Sequence, residues 1–319
     1  VQAARGEHQS SFDTARVVAA QSWAAERTRI EMVNAGHMID IHTADPEWDA
    51  ALAFSQSAAF GLFFPPSEHL PYTSFVSSRG PDLGYSHKGD GSDHPASWSG
   101  QSPLGAYYLS SVLPAASHLL QGVVQNFLSV QTRGGMIDGR PGLGGQRGRY
   151  QAMPLLASLA WNLFTITGDE AFLATSFPNL LSFYWAWFSP VNDRDRDGIP
   201  EWGHLLQTGY EENPLFDTWN PGSQGADITS VYHPALMALL IAEANALVRI
   251  ASQLRQEHEV QLIKQQIGTL QTALNESWNP RAAIYSYRDR ESGQSATGKV
   301  LARQRLSLIH ISEPTRLKT

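Results

Sequence analysis

The sequence predicts an all-α protein, a partial toroid of paired helices, from three observations. Apolar residues recur at helical spacing in most long segments. Short and long connections alternate between those segments, and strand-type alternation is scarce. Alternating connections are what a toroid of outer and inner helices produces, with its long loops gathered at one mouth. No fixed short period runs through the chain, which sets aside tetratricopeptide and ankyrin arrays.

The elements follow in order. Ser11–Met32 reads as a helix, with Val17, Val18, Trp23 and Ile30 as its apolar members. Asp45 and Pro46 read as an N-cap and first helical residue. They launch Glu47–Phe64, sided by Trp48, Leu52, Phe60 and Phe63 and ended by Pro65–Pro66. Pro65–Pro103 is a loop rich in Gly, Ser, Pro, Asp and His, and a loop this long in a compact domain is usually functional or covers a site. Pro103–Thr132 reads as helix, broken near Pro114, and Gly134–Arg149 as a Gly/Arg loop. Pro154–Gly168 is a helix with Gly168 as C-cap. Asp169–Pro190 is the next, with Phe172, Leu180, Phe183, Trp187 and Phe188 on one side and the aromatic run Phe183–Phe188 as core. Asp227–Gln253 and Gln256–Trp278 form the last pair; Tyr232 and His233, before Pro234, could face the mouth but read rather as buried packing residues. Trp278–Asp289 resembles a short hairpin.

Composition narrows the function. The chain has 319 residues, 42% hydrophobic and 10% aromatic, which suits a globular core rather than a disordered polyelectrolyte. Its formal charge of −7, without Lys/Arg clusters, makes it a poor nucleic-acid binder. No apolar run is expected to span a bilayer. The absence of cysteine excludes disulfides and thiolate metal sites but does not fix the compartment, bacterial cytoplasm, periplasm or exterior. The chain starts at Val1, so the N-terminus is expected to be cut and the lack of a visible signal peptide is uninformative.

Asp193–Asp217 concentrates the chemistry. Asp193, Asp195 and Asp197 alternate, followed by Gly198 and Glu201. This spacing puts three carboxylates on one side of a tight turn and resembles the start of a calcium loop, with the Ile199 carbonyl as a further ligand. The distal Glu of an EF-hand is replaced by His204, and Glu201 could substitute. Arg194 and Arg196 interleave, so a solvated acidic turn with internal ion pairs is the competing reading. Downstream, Gly209-Tyr210-Glu211-Glu212-Asn213-Pro214 forms a turn with paired carboxylates. Two close, desolvated carboxyls cannot both ionise cheaply, so one stays protonated, the property of a general acid. Such a pair also fits a surface turn; the flanking Trp202, Tyr210, Phe216 and Trp219 shift the reading toward a site. Carboxylates beside flat rings and amides are what sugar chemistry needs.

These residues carry a resemblance. The run from Pro200-Glu201-Trp202 through Gln207-Thr208-Gly209 to Pro214 and Asp217 is similar to glycoside hydrolase family 63 and its mannosylglycerate-hydrolase-like relatives. TITGDEAFL at Thr165–Leu173, DRDRDGIPEW from Asp193, and SWNPRAAIYSYRD at Ser277–Asp289 extend it, and Asp90–Tyr108 matches loosely. The resemblance covers roughly Pro46 to Asp289 and implies an (α/α)6 toroid that cleaves α-glycosides exo-wise with inversion. It implies Glu211 as general acid, with Glu standing where the family has Asp, and Glu212 as a modulator. It implies a structural calcium ion at Asp193, Asp195, Asp197, Ile199 and Glu201, and no organic cofactor. The substrate would be an oligosaccharide or small glycoside: a glucoside, a mannoside or a glycosylglycerate. Trp98, Gln101, Gln146, Arg147, Trp202, Gln207, Tyr210 and Asp217, on the loops expected to line the mouth, would bind it.

Three segments are therefore expected: a helical lead-in over 1–45, a partial toroid over 46–305 and an artefactual tail over 306–319. Leu306–Arg316, LSLIHISEPTR, looks like a translated sequencing adapter. The general base of the family would follow Asp289, so the fragment is expected to lack it and to be inactive. The other reading of the same features is a non-catalytic carbohydrate-binding toroid with a vestigial Glu211. A helical scaffold for proteins would need a long apolar or charged groove, which the Gly/Asp/Trp-rich loops do not suggest.

Overall fold

A computed structural model describes residues 38–76, 100–208 and 228–291, with the single residues Arg16, Gly36 and Gly293. The helix expected over Ser11–Met32 and most of the long loop before Pro103 lie outside them. The chain is all-α: strands among the described residues are two-residue pairs. Contacts divide it into two compact units, Val1–Gly61 with Leu113–Ala116, and Leu62–Val112 with Ser117–Thr319.

In the first unit, α1 spans Pro46–Phe60. Its N-cap is the expected one: Asp45 Oδ1 accepts from the Glu47 N–H at 2.9 Å, with Pro46 at the first helical position. Gln56 is buried and pairs its amide with both backbone groups of Ile39, at 2.8 and 2.9 Å. The helix stops four residues before the expected Phe64. Gly61 donates back to Ser57 O, and Phe63 and Phe64, already in the second unit, pair with Phe75 and Ser74 as β1 and β2. Trp48, expected on the buried side, is 65% exposed.

In the second unit, α2 (Pro103–Val112) precedes the break at Pro114, as expected, and α3 spans Ser117–Ser129. Leu120, Val123, Val124 and Phe127 give α3 its apolar stripe and are fully buried. Asn126, equally buried, bonds Tyr72 N, Tyr72 O and Thr73 O at 2.9 to 3.0 Å, which fixes the segment leading to β2. The fourth helix, α4 (Leu156–Thr167), ends at Gly168, whose left-handed φ of 68° lets its N–H reach Phe164 O. Asp169 then caps α5 (Glu170–Ala186) by accepting from Phe172 N at 2.9 Å. Phe172, Phe183, Tyr184 and Trp187 are buried, as the reading of this run as core requires.

The sixth helix, α6 (Pro234–Gln253), starts later than expected because Val231–Tyr232 forms β3 and Pro234 sets the first helical turn. It corrects one expectation. Its 20 residues reach a mean hydropathy of 1.6 over an 18-residue window, long and apolar enough to cross a membrane by those measures. Here that surface is core: α6 packs against α4, α5 and α7 (Gln261–Glu276), and 61% of the window is buried. The expected hairpin forms as β4 (Trp278–Asn279) against β5 (Ile284–Tyr285). Arg288–Asp289, β6, returns to pair with β3. The fourth helix contacts α2, α3, α5 and α6, so it is the hub on which the unit is layered.

Candidate active site

The loop Gly134–Arg149 is organised by one carboxylate. Asp138 accepts from the backbone N–H groups of Arg140, Gly148 and Arg149, at 2.8 to 2.9 Å. Those bonds bend the loop enough to hold Arg149 at a φ of 60°, left-handed for a non-glycine residue. Its two ends zip together: Gly139 donates to Tyr150 O, Ala152 to Ile137 O, and Asp138 bridges Gln151. Gly139 is needed here, since a Cβ would come within 2.2 Å of the Tyr150 ring.

This zipper presents Tyr150 and Gln151 to a cavity of about 530 Å³. The Tyr150 ring stacks on His204 with centroids 5.6 Å apart and planes 5° from parallel. Gln151 is 4% exposed, and among the described residues neither its amide oxygen nor its nitrogen has a hydrogen-bond partner. A buried primary amide with both ends unsatisfied costs about 1–3 kcal/mol per group unless a ligand or water completes it. Arg149, Arg194 and Asn192 line the same cavity, and among the described residues no carboxylate does. Burial lowers the His204 pKa, which favours the neutral ring.

Gln207 lies between this cavity and a second one of about 240 Å³ lined by Ser102, Tyr108, Arg140 and Tyr150. Its Oε1 accepts from Gly203 N and His204 N, both at 2.7 Å, and its Nε2 donates to Gln151 O at 3.2 Å. Gln207 is thus brought to the cavity among the expected sugar-binding residues. The others occupy different places. Trp202 is fully buried, edge-on to Trp187 at 5.4 Å. Gln146 is buried and accepts from Gly144 N within its own loop. Arg147 donates to Gln146 O, and Gln101 Nε2 donates to Val123 O. Trp98, Tyr210, Glu211, Glu212 and Asp217 lie outside the described residues.

The acidic loop closes on itself from a distance. Oxygens of Asp193, Asp195 and Asp197 lie within 4.8 Å of one another. Asp193 is 5% exposed; its Oδ2 accepts from Gly198 N at 3.1 Å, while Oδ1 has no partner among the described residues. Arg194 and Arg196, the expected neutralisers, are not what fills the turn: Arg194 reaches Thr229 Oγ1, and Arg290 enters instead. Arg290 Nη2 lies 2.6 Å from Asp195 Oδ2, 3.4 Å from Asp197 Oδ2 and 3.3 Å from Glu201 Oε1. Its Nη1 donates to Ile199 O at 3.3 Å. Tyr232, read as a packing residue, donates its hydroxyl to Asp197 at 2.6 Å and lies under the Arg290 guanidinium at 4.3 Å. His233 is the buried one, its Nε2 2.9 Å from Ile228 O. Burial pushes the Asp193 and Glu201 carboxyls up. It pushes Asp195 up too, but the Arg290 hydrogen bond and charge outweigh it and Asp195 falls below its ordinary value.

A family-level profile, described as the mannosylglycerate hydrolase MGH1-like glycoside hydrolase domain, matches residues 110–308. A GH63 mannosylglycerate hydrolase from Thermus thermophilus, solved with Tris and D-glycerate, is similar in structure. The TM-score is 0.54 at 15% identity, over 82% of this chain and 75% of that one. A rhamnosidase from Klebsiella oxytoca, solved with rhamnose bound, gives a TM-score of 0.51 at 14% identity, over 89% of this chain and 51% of that one. These likenesses show a shared fold. Against three other solved chains from Thermus thermophilus, the chain spans 63%, 64% and 65% of their length. No curated protein sequence is significantly similar to it.

Proposed function

The chain belongs to the mannosylglycerate hydrolase MGH1-like glycoside hydrolase family, and from that premise we propose that it seats the substrate of an inverting, exo-acting α-glycosidase. The observation that carries this reading is the Gln151 amide, buried and unpartnered in the wall of the 530 Å³ cavity. An amide offers one acceptor and two donors, which match vicinal sugar hydroxyls. The Tyr150–His204 stack gives a flat wall beside it. Glu211 is the general acid of this reading, on its place in the turn Gly209-x-Glu211-x-x-Pro214. It follows Gln207 by four residues, at most about 14 Å of extended chain. Inversion needs a second carboxyl roughly 6.5–9.5 Å from the acid, with a water between. Among the described residues no carboxyl lines the cavity, so this reading names no base.

Of glucoside, mannoside and glycosylglycerate, the cavity favours the last. Arg149 and Arg194 both line it, two guanidinium groups suited to an anionic aglycone. Titration by NMR or calorimetry is expected to show a glycosylglycerate binding at least tenfold more tightly than the corresponding methyl glycoside. Gln151→Ala is expected to weaken both ligands. Equal affinity for charged and neutral glycosides would remove the anionic aglycone from the proposal; binding indifferent to Gln151 would remove the cavity.

The acidic loop is read as a structural calcium site. Calcium–oxygen distances of about 2.3–2.6 Å put opposite ligands about 5 Å apart, and the three aspartate oxygens lie within 4.8 Å of one another. The unpartnered Oδ1 of buried Asp193 is the atom a cation would complete. Bound there, calcium would stiffen the turn that leads into Trp202 and Gln207, with no part in bond cleavage. Calorimetry is expected to show calcium binding that Asp195→Ala abolishes; silence at millimolar calcium would sink the site.

A further inference from the structure

We propose that Arg290 is a built-in competitor for this cation site, so that a divalent metal and the Arg290 guanidinium are alternative occupants of one acidic loop. The inference rests on the calcium reading above. Four of the five groups expected to ligate a metal, Asp195, Asp197, Ile199 O and Glu201, face Arg290 at 2.6 to 3.4 Å. A guanidinium nitrogen at those distances stands where the ion would stand. The Arg290 side chain is only 8% exposed, so it is a filler of the loop rather than a surface partner. Asp193 is the remaining group. Its Oδ1 is buried and unpartnered, so the planar guanidinium leaves unmet what a spherical ion could reach.

The exchange has a mechanical consequence. Arg290 directly follows β6, and its backbone N–H donates to Ser230 O at 3.0 Å beside β3. The Tyr232 hydroxyl holds Asp197 from that same strand. While Arg290 fills the loop, the end of the hairpin segment is pinned to it. When a metal fills it, the carboxylates stay together but the guanidinium must leave, and that end is released. The metal therefore trades one tether for another instead of simply adding one.

The test is calcium titration of the wild-type chain beside Arg290→Gln and Arg290→Lys, with circular dichroism to check that each variant is folded. Calcium affinity is expected to rise at least tenfold in Arg290→Gln and by less in Arg290→Lys, whose compact ammonium fills the loop less completely. Equal affinity in all three would overturn the competition and leave the calcium site standing; no binding in any of them would remove both. If the variants do not fold, hydrogen exchange on the wild type decides. Calcium is expected to speed exchange at the Arg290 amide while the buried turns of α6 stay protected. An Arg290 amide that calcium leaves unchanged or slows would overturn the proposal.

Discussion

Replacing Glu211 by glutamine is expected to cut turnover of an α-glycoside by about 10²- to 10⁴-fold, the usual contribution of a positioned general acid. Affinity should stay within a few-fold, because the amide keeps the shape and loses only the proton to be given. The measurement is kcat and KM with an α-glycoside, in a form of the protein with measurable turnover, and the anomer released first, read by NMR. Inverted product and a kcat-only loss support the assignment. Near-normal turnover in the variant, or retained product, would refute it. Glu211→Asp is the informative second variant. The resemblance implies Asp here, and shortening the side chain moves the carboxyl by about one carbon–carbon bond. Misplacement on that scale can cost about 100-fold, so a large loss would show that the seat has adjusted to glutamate. A protein that binds glycosides but turns over none in any form would instead be the carbohydrate-binding toroid.

Glu243→Ala is expected to be the most destabilising single change in the described core. Glu243, on α6, is fully buried. It accepts from Ala157 N at 2.6 Å, Ser158 N at 3.0 Å and Ser158 Oγ at 2.9 Å. These are the first donors of α4, whose own N-cap residue, Leu155, has no side-chain cap. Removing the carboxylate leaves three buried donors unmet, a loss of about 3–5 kcal/mol. For a domain of this size that lowers Tm by roughly 10 °C, which a calorimetric melt would read. An unchanged Tm would mean that water replaces the cap. The group also titrates: burial pushes its pKa up to about 7, against the opposing pull of the Ala157 and Ser158 hydrogen bonds. A folded pKa above the ordinary value of 4.5 means the folded state holds the extra proton between those values. This contribution to stability is complete below the lower value and is lost as pH rises toward about 7. Glu243→Gln, which does not titrate, is expected to flatten that slope.

What was legible in the sequence was local. Asp45, Gly168 and Asp169 cap or end helices through groups within four residues, and Pro114 breaks one by its own ring. What was not legible depends on partners far along the chain. Phe63 and Phe64 look helical until Ser74 and Phe75 offer a ladder. The cap of α4 comes from a residue 85 to 86 positions away. Arg290 lies 95 positions from Asp195, while Arg194 and Arg196 interleave with the aspartates in the sequence. At the candidate site, Gln207 stands beside the carboxylate turn in the sequence, while Gln151 lies two positions beyond the Gly/Arg loop, away from any such motif. A usable signal existed: Gln151 is the polar member of Tyr150–Leu156, a run otherwise apolar, and such a residue in a core segment needs a partner.

Gln207 gives the site a common datum. One amide is bolted at its oxygen to Gly203 N and His204 N and at its nitrogen to Gln151 O. The wall that would grip the sugar and the segment that runs on toward Glu211 are therefore referenced to the same side chain. Errors in placing the two do not accumulate along separate paths, as they would if each hung from its own loop. A thermal excursion of the Gln151 wall is shared by the Gly203–His204 turn, so the offset between the two varies less than either position alone. Alignment tolerance, rather than binding strength, is what this glutamine sets.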